Sequence, residues 1–303
     1  MIKVAVIIVN WNLKEDILIC LASVARLNLD GISLKTIVVD NGSTDDSVEA
    51  IKKKFPKTIL IAGKNNLGFT GGNNLGIDVA LQNRVDYVWL LNNDTVVDKN
   101  ALRDLIKVFY DNVGAAGSKI YFYQGREFYS ERYQPGERGK VIWYAGGTID
   151  WKNMYGSHRG VDAVDGGQFN EITETDFITG CSMLISAEVI RQIGKLDNRF
   201  YLYLEDLDYS LRAKQAGFKL VFAPSSVVWH KNAGSSARPG NPLHEYYFTR
   251  NRLLIGRKYA PLRTKLALMR EAIRVMIFGS ALKRRAVFDF FAGKFGESRV
   301  WKT

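Results

Sequence analysis

Three apolar runs in this chain stop in the same way. "VAVIIVN" (4–10) ends on Asn10, "TIVVD" (36–40) ends on Asp40, and "YVWLLNND" (87–94) ends on Asn92, Asn93 and Asp94. β-Branched runs of this length read as strands buried on both faces. Each is followed by residues at helical spacing. Leu13, Ile17, Leu18, Leu21, Val24 and Ala25 follow the first, "DSVEAIKKKF" the second and "KNALRDLIKVFYD" the third. "KTILIA" (57–62) and "AAGSKIYFY" (115–123) read as further strands, and "GKNNLGFTGGNNLGIDVALQN" as a glycine- and asparagine-rich loop running into a helix. The order over residues 4–123 is thus β-α-β-α-β-α-β-α-β. It predicts an α/β fold, a mostly parallel sheet with helices on both faces. Ligands of such sheets collect beyond the carboxyl ends of the strands. A core strand that ends in two amides and a carboxylate is therefore expected to end at a ligand site.

Beyond residue 123 the pattern blurs. "WYAGGTID" (143–150) reads as a strand or hairpin. "DFITGCSMLISAEVIRQIG" (176–194) reads as a turn, an apolar strand and a helix starting near Ser186. A helix is predicted from Glu205 to Ala216, closed by Gly217. "KLVFAPSSVVWH" (219–230) reads as two short strands, and the chain after Pro242 as helical.

Charge divides the chain. Residues 245–303 hold 14 basic and 4 acidic groups, and residues 1–244 hold 28 and 27. A neutral main domain (1–244, halves 1–123 and 124–244) with a basic helical tail (245–303) is expected. The two cysteines, Cys20 and Cys181, have neither a CxxC nor a zinc spacing, which points to a reducing compartment. The apolar run 4–9 is short for a signal peptide, and no window is apolar enough to span a membrane. A cytoplasmic protein is expected, with a seat at the inner face of the cell membrane as the reading the tail adds.

Each acidic candidate has a plain structural reading beside a functional one. Asp94 can cap a turn, although Asp98 is better placed to cap the next helix. Alternatively it serves a divalent cation that takes its remaining ligands from phosphate oxygens. His230 also closes an apolar run and can be a hydrogen-bonded structural residue. Imidazole with carboxylate equally suits Mn²⁺, and Mg²⁺ less well. Glu205, Asp206 and Asp208 open a helix, where carboxylates favour the dipole by about 0.3–1 kcal/mol each. Asp208 is also spaced to pair with Arg212, and a carboxylate near a sugar hydroxyl can act as a general base. Asp40 can cap a turn or accept hydrogen bonds from a nucleotide. "GFTGGNNLG" (68–76) is not a GxGxxG motif, and its glycines fit either a turn or a close approach to ligand.

Seven segments taken in order resemble the family 2 glycosyltransferases: "VIIVNWN", "VVDNGSTDDS", "NLGFTGGNNLGI", "LLNNDTVV", "TGCSMLIS", "EDLDYSLRAKQAGF" and "VWHKNAGSS". The nearest likeness is to the bacterial rhamnosyltransferase-like and galactofuranosyltransferase-like group that builds cell-surface polysaccharide. The resemblance covers residues 4–254. It implies a GT-A fold and inverting transfer from a nucleoside diphosphate sugar, such as dTDP-rhamnose or a UDP-sugar, to a glycan or lipid-linked acceptor. Asn92-Asn93-Asp94 matches the family's DXD position, with Asn92 departing in the first place. Asp94 and His230 match the metal residues, which implies Mn or Mg as cofactor. Asn10, Asp40, Gly42 and Asn66 fall on the donor side. Asp206 matches the catalytic base, and Gly180, Cys181 and Glu205 match the sugar and acceptor site.

Two rival readings remain. A sugar-1-phosphate nucleotidyltransferase would carry a basic Gly-rich loop where this chain has "VNWNLKED". A non-catalytic nucleotide-sugar or glycan binder would have no use for Asp94, Asp206 and His230 together. In the tail, Leu266, Met269, Ile273, Met276 and Ile277 make one helical face, with Lys265, Arg270 and Arg274 largely elsewhere. That pattern fits an anionic membrane surface, or a helix packed on protein with its cations solvated. Nucleic acid is set aside because the enzyme motifs account for the chain better.

Overall fold

A computed structural model describes residues 1–232 and 241–298. In chain order the elements are β1 (Ile2–Asn10), α1 (Lys14–Val24), β2 (Ile32–Asp40), α2 (Ser47–Lys54), β3 (Ile59–Ala62), α3 (Gly68–Gln82), β4 (Tyr87–Asn92), β5 (Thr95–Val97), α4 (Ala101–Ile106) and β6 (Val113–Phe122). There follow β7 (Ile142–Tyr144), β8 (Gly147–Asp150), β9 (Tyr155–His158), β10 (Thr173–Glu174), β11 (Ser182–Ser186), α5 (Ala187–Ile193), α6 (Glu205–Gln215) and β12 (Lys219–His230). Three helices end the described chain: α7 (Pro242–Tyr259), α8 (Leu262–Phe278) and α9 (Ala281–Phe291). None among the described residues is long and apolar enough to cross a membrane.

The main sheet runs β10-β12-β6-β11-β4-β1-β2-β3. β1 lies parallel to β2 and β4, as the alternation predicts, and its residues Val4–Ile8 are fully buried. One strand breaks the expected order. β11 inserts antiparallel between β4 and β6. Its Ser182 hydroxyl accepts from Trp89 Nε1 at 3.0 Å and meets Ser118 Oγ at 2.7 Å, which satisfies buried polar groups in the middle of the core.

The glycines of 68–76 are not mainly loop. They lie within α3, and two of them, Gly72 and Gly76, let the helix approach β1. A Cβ on Gly76 would stand 2.4 Å from Ile7 Cγ2 of the central strand. α4 is shorter than the predicted 99–111 helix, because Phe109 leaves it to pack edge-on against Tyr87 and the chain turns at Asp111 and Asn112 with positive φ. Asp98 Oδ1 accepts from Asn100 N at 2.8 Å just before α4, a turn role close to the expected cap. Residues 219–230 form one strand rather than two. Its register on β6 shifts between Ala223 and Val227, around Pro224, which has no N–H to give the ladder.

The expected boundary after residue 244 falls inside α7. That helix is built into the molecule: Tyr246, Tyr247, Arg250 and Asn251 are fully buried. The segment "VWHKNAGSS" lies within the described residues only up to Asn232.

Candidate active site

The carboxyl ends of β1, β2 and β4 are laced together by side chains. Asn10 Nδ2 donates to Asp40 Oδ2 at 3.0 Å, and its Oδ1 accepts from Asn93 Nδ2 at 2.8 Å. Asp40 Oδ1 accepts from Ser43 N at 2.8 Å. Asp40 is thus buried, with a donor from the chain on each oxygen. Gly42, at φ +77°, lets the turn after Asp40 come against Lys64 O, which a Cβ would meet at 3.0 Å. Asn66 Oδ1 receives Gly68 N at 2.8 Å, setting up the start of α3.

Asp94 sits in the tight turn from β4 to β5. β5 pairs antiparallel with the end of β12, Thr95 opposite His230. That pairing brings His230 Nε2 to 3.1 Å from Asp94 Oδ1. Lys231 N donates to Asp94 O at 2.8 Å and fixes the turn. Trp143 stands edge-on between two imidazoles, 4.6 Å from the His230 ring and 4.4 Å from His158. Desolvation pushes the His158 pKa down to about 4, so at neutral pH this ring is uncharged.

The three acids that open α6 meet three different fates. Asp208 is fully buried and structural. It takes Arg212 Nε at 2.9 Å and Tyr259 Oη at 2.7 Å, and pairs with Lys258 Nζ as well. Glu205 is buried. Its Oε2 has no hydrogen-bond partner among the described residues, and burial raises its pKa well above the carboxylate range. Asp206 stays partly open to the cavity. Its Oδ2 accepts from Gly180 N at 3.0 Å and its Oδ1 from Leu207 N at 2.8 Å, while burial raises its pKa above the ordinary 3.8.

The approach to these acids is strained. Tyr201, Tyr203 and Leu204 all have φ between +65° and +69°, a region that disfavours side chains by roughly 1–2 kcal/mol per residue. α7 holds the loop in that shape. Asn251 Nδ2 donates to the carbonyls of Phe200, Leu202 and Tyr203, and Arg250 Nη2 to those of Arg199 and Phe200. Gly68, at φ +70°, completes the fit, because a Cβ there would lie 2.6 Å from the Tyr201 ring.

These elements enclose one cavity of about 930 Å³. Asn66, Asn92, Asn93, Asp94, Gly180, Cys181, Glu205, Asp206 and His230 all line it. Asn10, Asp40 and Gly42 do not. They lie behind the wall and hold Asn93 and the β2 turn. Cys181 has its thiol pKa raised by burial, so it lines the site as an inert side chain. Sequence reasoning missed the aromatic side of the cavity, including Trp143, Phe177, Tyr203 and Phe248. The density of aromatics and glycine around 143–158 was the available signal. It also missed Arg250 and Asn251, which read as part of a charged tail.

Among the described residues no group of three or more His, Cys, Asp or Glu is placed to hold a metal ion. Asp94 and His230 supply two donors in contact, and the second ring nitrogen of His230 is buried with no partner among the described residues. This set fits a cation that takes most of its ligands from a bound diphosphate.

A sheet whose strand ends carry amides and a carboxylate, facing a helix-borne carboxylate across one cavity, agrees with what the resemblance to the glycosyltransferases implies. Residues 3–252 match the model described as "Glycosyltransferase like family 2", and the chain belongs to that family. Two relatives are each 26% identical. One is the N-acetylglucosaminyl-diphospho-decaprenol L-rhamnosyltransferase of Mycobacterium tuberculosis, over 68% of this chain and 69% of that protein. The other is the low-salt glycan biosynthesis hexosyltransferase Agl10 of Haloferax volcanii, over 82% and 74%. Among solved structures, GalNAc-T7 with UDP, GalNAc and Mn²⁺ superposes at a TM-score of 0.65 and 14% identity, over 98% of this chain and 55% of that one. The mannosyltransferase PcManGT from Pyrobaculum calidifontis, in complex with GDP-Man and Mn²⁺, gives 0.52 and 13%, over 99% and 87%. These two likenesses show the GT-A fold.

Proposed function

We propose that this chain transfers a sugar, with inversion, from a nucleoside diphosphate sugar to a hydroxyl of a glycan or lipid-linked acceptor. The observation that carries the reading is the placement of Asp206. It is hydrogen-bonded to Gly180 N, partly open, and lines the same cavity as the Asp94–His230 pair. The rhamnosyltransferase and hexosyltransferase relatives support the donor class, and the decaprenol named in one of them supports a lipid-linked acceptor.

The chemistry needs one base. The acceptor O–H proton passes to the Asp206 carboxylate as the acceptor oxygen bonds to the anomeric carbon. The bond from that carbon to the diphosphate breaks, and its electron pair leaves with the nucleoside diphosphate. Attack from the face opposite the leaving group inverts the centre. A glycoside hydrolase needs a second carboxyl to protonate its leaving group. A Mn²⁺ or Mg²⁺ ion held by Asp94 and His230 would supply neutralisation of the diphosphate charge in its place. Asn92, in the first place of the Asn-Asn-Asp segment, offers amide donors to the ribose or phosphates. The Gly180 N–H holds Asp206 in place, and the aromatic side of the cavity gives flat apolar surface for the acceptor and excludes water.

The test is a calorimetric titration with UDP and dTDP, each with and without Mn²⁺ or Mg²⁺, with Asp94→Ala as control. Metal-dependent binding of one nucleotide, lost in the variant, supports the donor site and fixes the donor class. Binding of neither nucleotide by folded protein would overturn the assignment.

A further inference from the structure

α8 carries an apolar stripe that the protein leaves uncovered. Leu262, Leu266, Met269, Ile273, Met276 and Ile277 are each between 42% and 74% exposed. At about 100° per residue they fall within an arc of roughly 100°. The face that packs on the molecule is a different one, made by Thr264, Leu268 and Ala272. Large exposed apolar surface on a folded chain marks an interaction site.

The charges beside it say what covers it. Along α8 the chain has four exposed cations, Arg263, Lys265, Arg270 and Arg274, and one carboxylate, Glu271, which is already paired with Arg252 Nη1 at 2.7 Å. A second copy of the chain meeting this face symmetrically would set four cations against four, so self-association is disfavoured. The helix, of 17 residues, is not long and apolar enough to span a bilayer. A helix with an apolar stripe flanked by cations, and no capacity to span, lies in the plane of an anionic lipid surface. Trp151, 41% exposed and joined through its carbonyl to Thr264 Oγ1 at 3.1 Å, sits at the start of the helix, and an indole is at home at the level of lipid headgroups.

We propose that α8 is an in-plane anchor for an anionic lipid bilayer, with the stripe Leu262–Ile277 immersed and the flanking arginines at the phosphates. The proposal does not rest on the donor-site reading, and its test uses no nucleotide. The full chain is floated with vesicles of phosphatidylcholine alone and of phosphatidylcholine with 30% phosphatidylglycerol. The expected result is flotation with the anionic vesicles only, weakened by high salt. Ile273→Asp with Met276→Asp, both at exposed positions, should cut partitioning at least tenfold with an unchanged melting temperature. Arg270→Gln with Arg274→Gln should cut it by about fivefold for each cation removed. Failure of the wild-type chain to float, or equal flotation of the Asp variant, would overturn the proposal. So would a concentration-dependent dimer in sedimentation that the Asp variant abolishes, since a second copy would then be the occupant.

Discussion

The side-chain amide of Asn251 stands 2.8 Å from the carbonyl of Leu202, and it reaches the carbonyls of Phe200 and Tyr203 as well. One residue of a C-terminal helix thus fixes the backbone that delivers Glu205 and Asp206. Replacing it with Ala leaves buried carbonyls short of donors, at about 1–3 kcal/mol for each group left unsatisfied. Phe200 keeps its donor from Arg250 Nη2, so two carbonyls are left and Asn251→Ala is expected to lower the unfolding free energy by about 2–6 kcal/mol. A displaced carboxylate should also reduce kcat on the order of 10²-fold, while nucleotide affinity stays near that of the wild type. A change in nucleotide affinity as large as that in kcat would mean that the loop serves the donor instead.

Asp206→Asn keeps the shape and removes the proposed base. Transfer should fall by about 10²–10⁴-fold, the usual contribution of a positioned general base, with nucleotide titration curves little changed. Burial raises the Asp206 pKa above 3.8, and the base must be ionised to work. The kcat profile of the wild type should thus fall on the acid side at a pH above the ordinary aspartate value. Loss of nucleotide binding in the variant would assign Asp206 to the donor or to structure.

Glu205 predicts a pH-dependent stability. Its folded pKa lies well above 4.5, so the folded state keeps a proton that the unfolded chain releases. Stability contributed at this site falls as pH rises above the unfolded value. Glu205→Gln removes the titration. The variant should melt higher than the wild type at pH 7.5, with the gap closing toward pH 4. Melting curves that stay parallel across that range would show that Glu205 is ionised in the fold.

Gly76→Ala sets two effects against each other. Alanine favours a helix over glycine by about 0.8–1 kcal/mol. The added Cβ would stand 2.4 Å from Ile7 Cγ2, on a strand packed on both faces, and overpacking costs about 1–3 kcal/mol. The clash is expected to win, with net destabilisation in a denaturant titration. Pairing it with Ile7→Ala, which removes the Cγ2 that the new methyl meets, should cost less than the sum of the two single changes.

What the sequence made legible was local. Strand-end polar clusters announced Asn92, Asn93 and Asp94, and the apolar run before His230 placed it at a strand end, because both signals lie within a few residues. The partner of β4 was not legible. β11 is as apolar as the parallel strands, and nothing in its own residues says that it runs the other way. The rim aromatics and Asn251 escaped for a related reason. Asn251 acts through a helix that returns from residues 242–259 to the loop at 199–204, and Trp143 through rings at 158 and 230, and contacts across such separations leave no spacing to read. The glycines of α3 were visible, but the partner of Gly76, Ile7, is some seventy residues away.

The antiparallel strand has a consequence for synthesis on the ribosome. β4 and β6 share no ladder and are joined only through β11, which is made last of the three. A nascent chain that has emerged only to residue 123 therefore exposes one side of β4, an apolar strand with open N–H and C=O groups. Until residue 186 follows, the sheet has no finished centre. The emerging chain is then most vulnerable to pairing with a neighbour on the same message, and chaperone dependence should concentrate in that window.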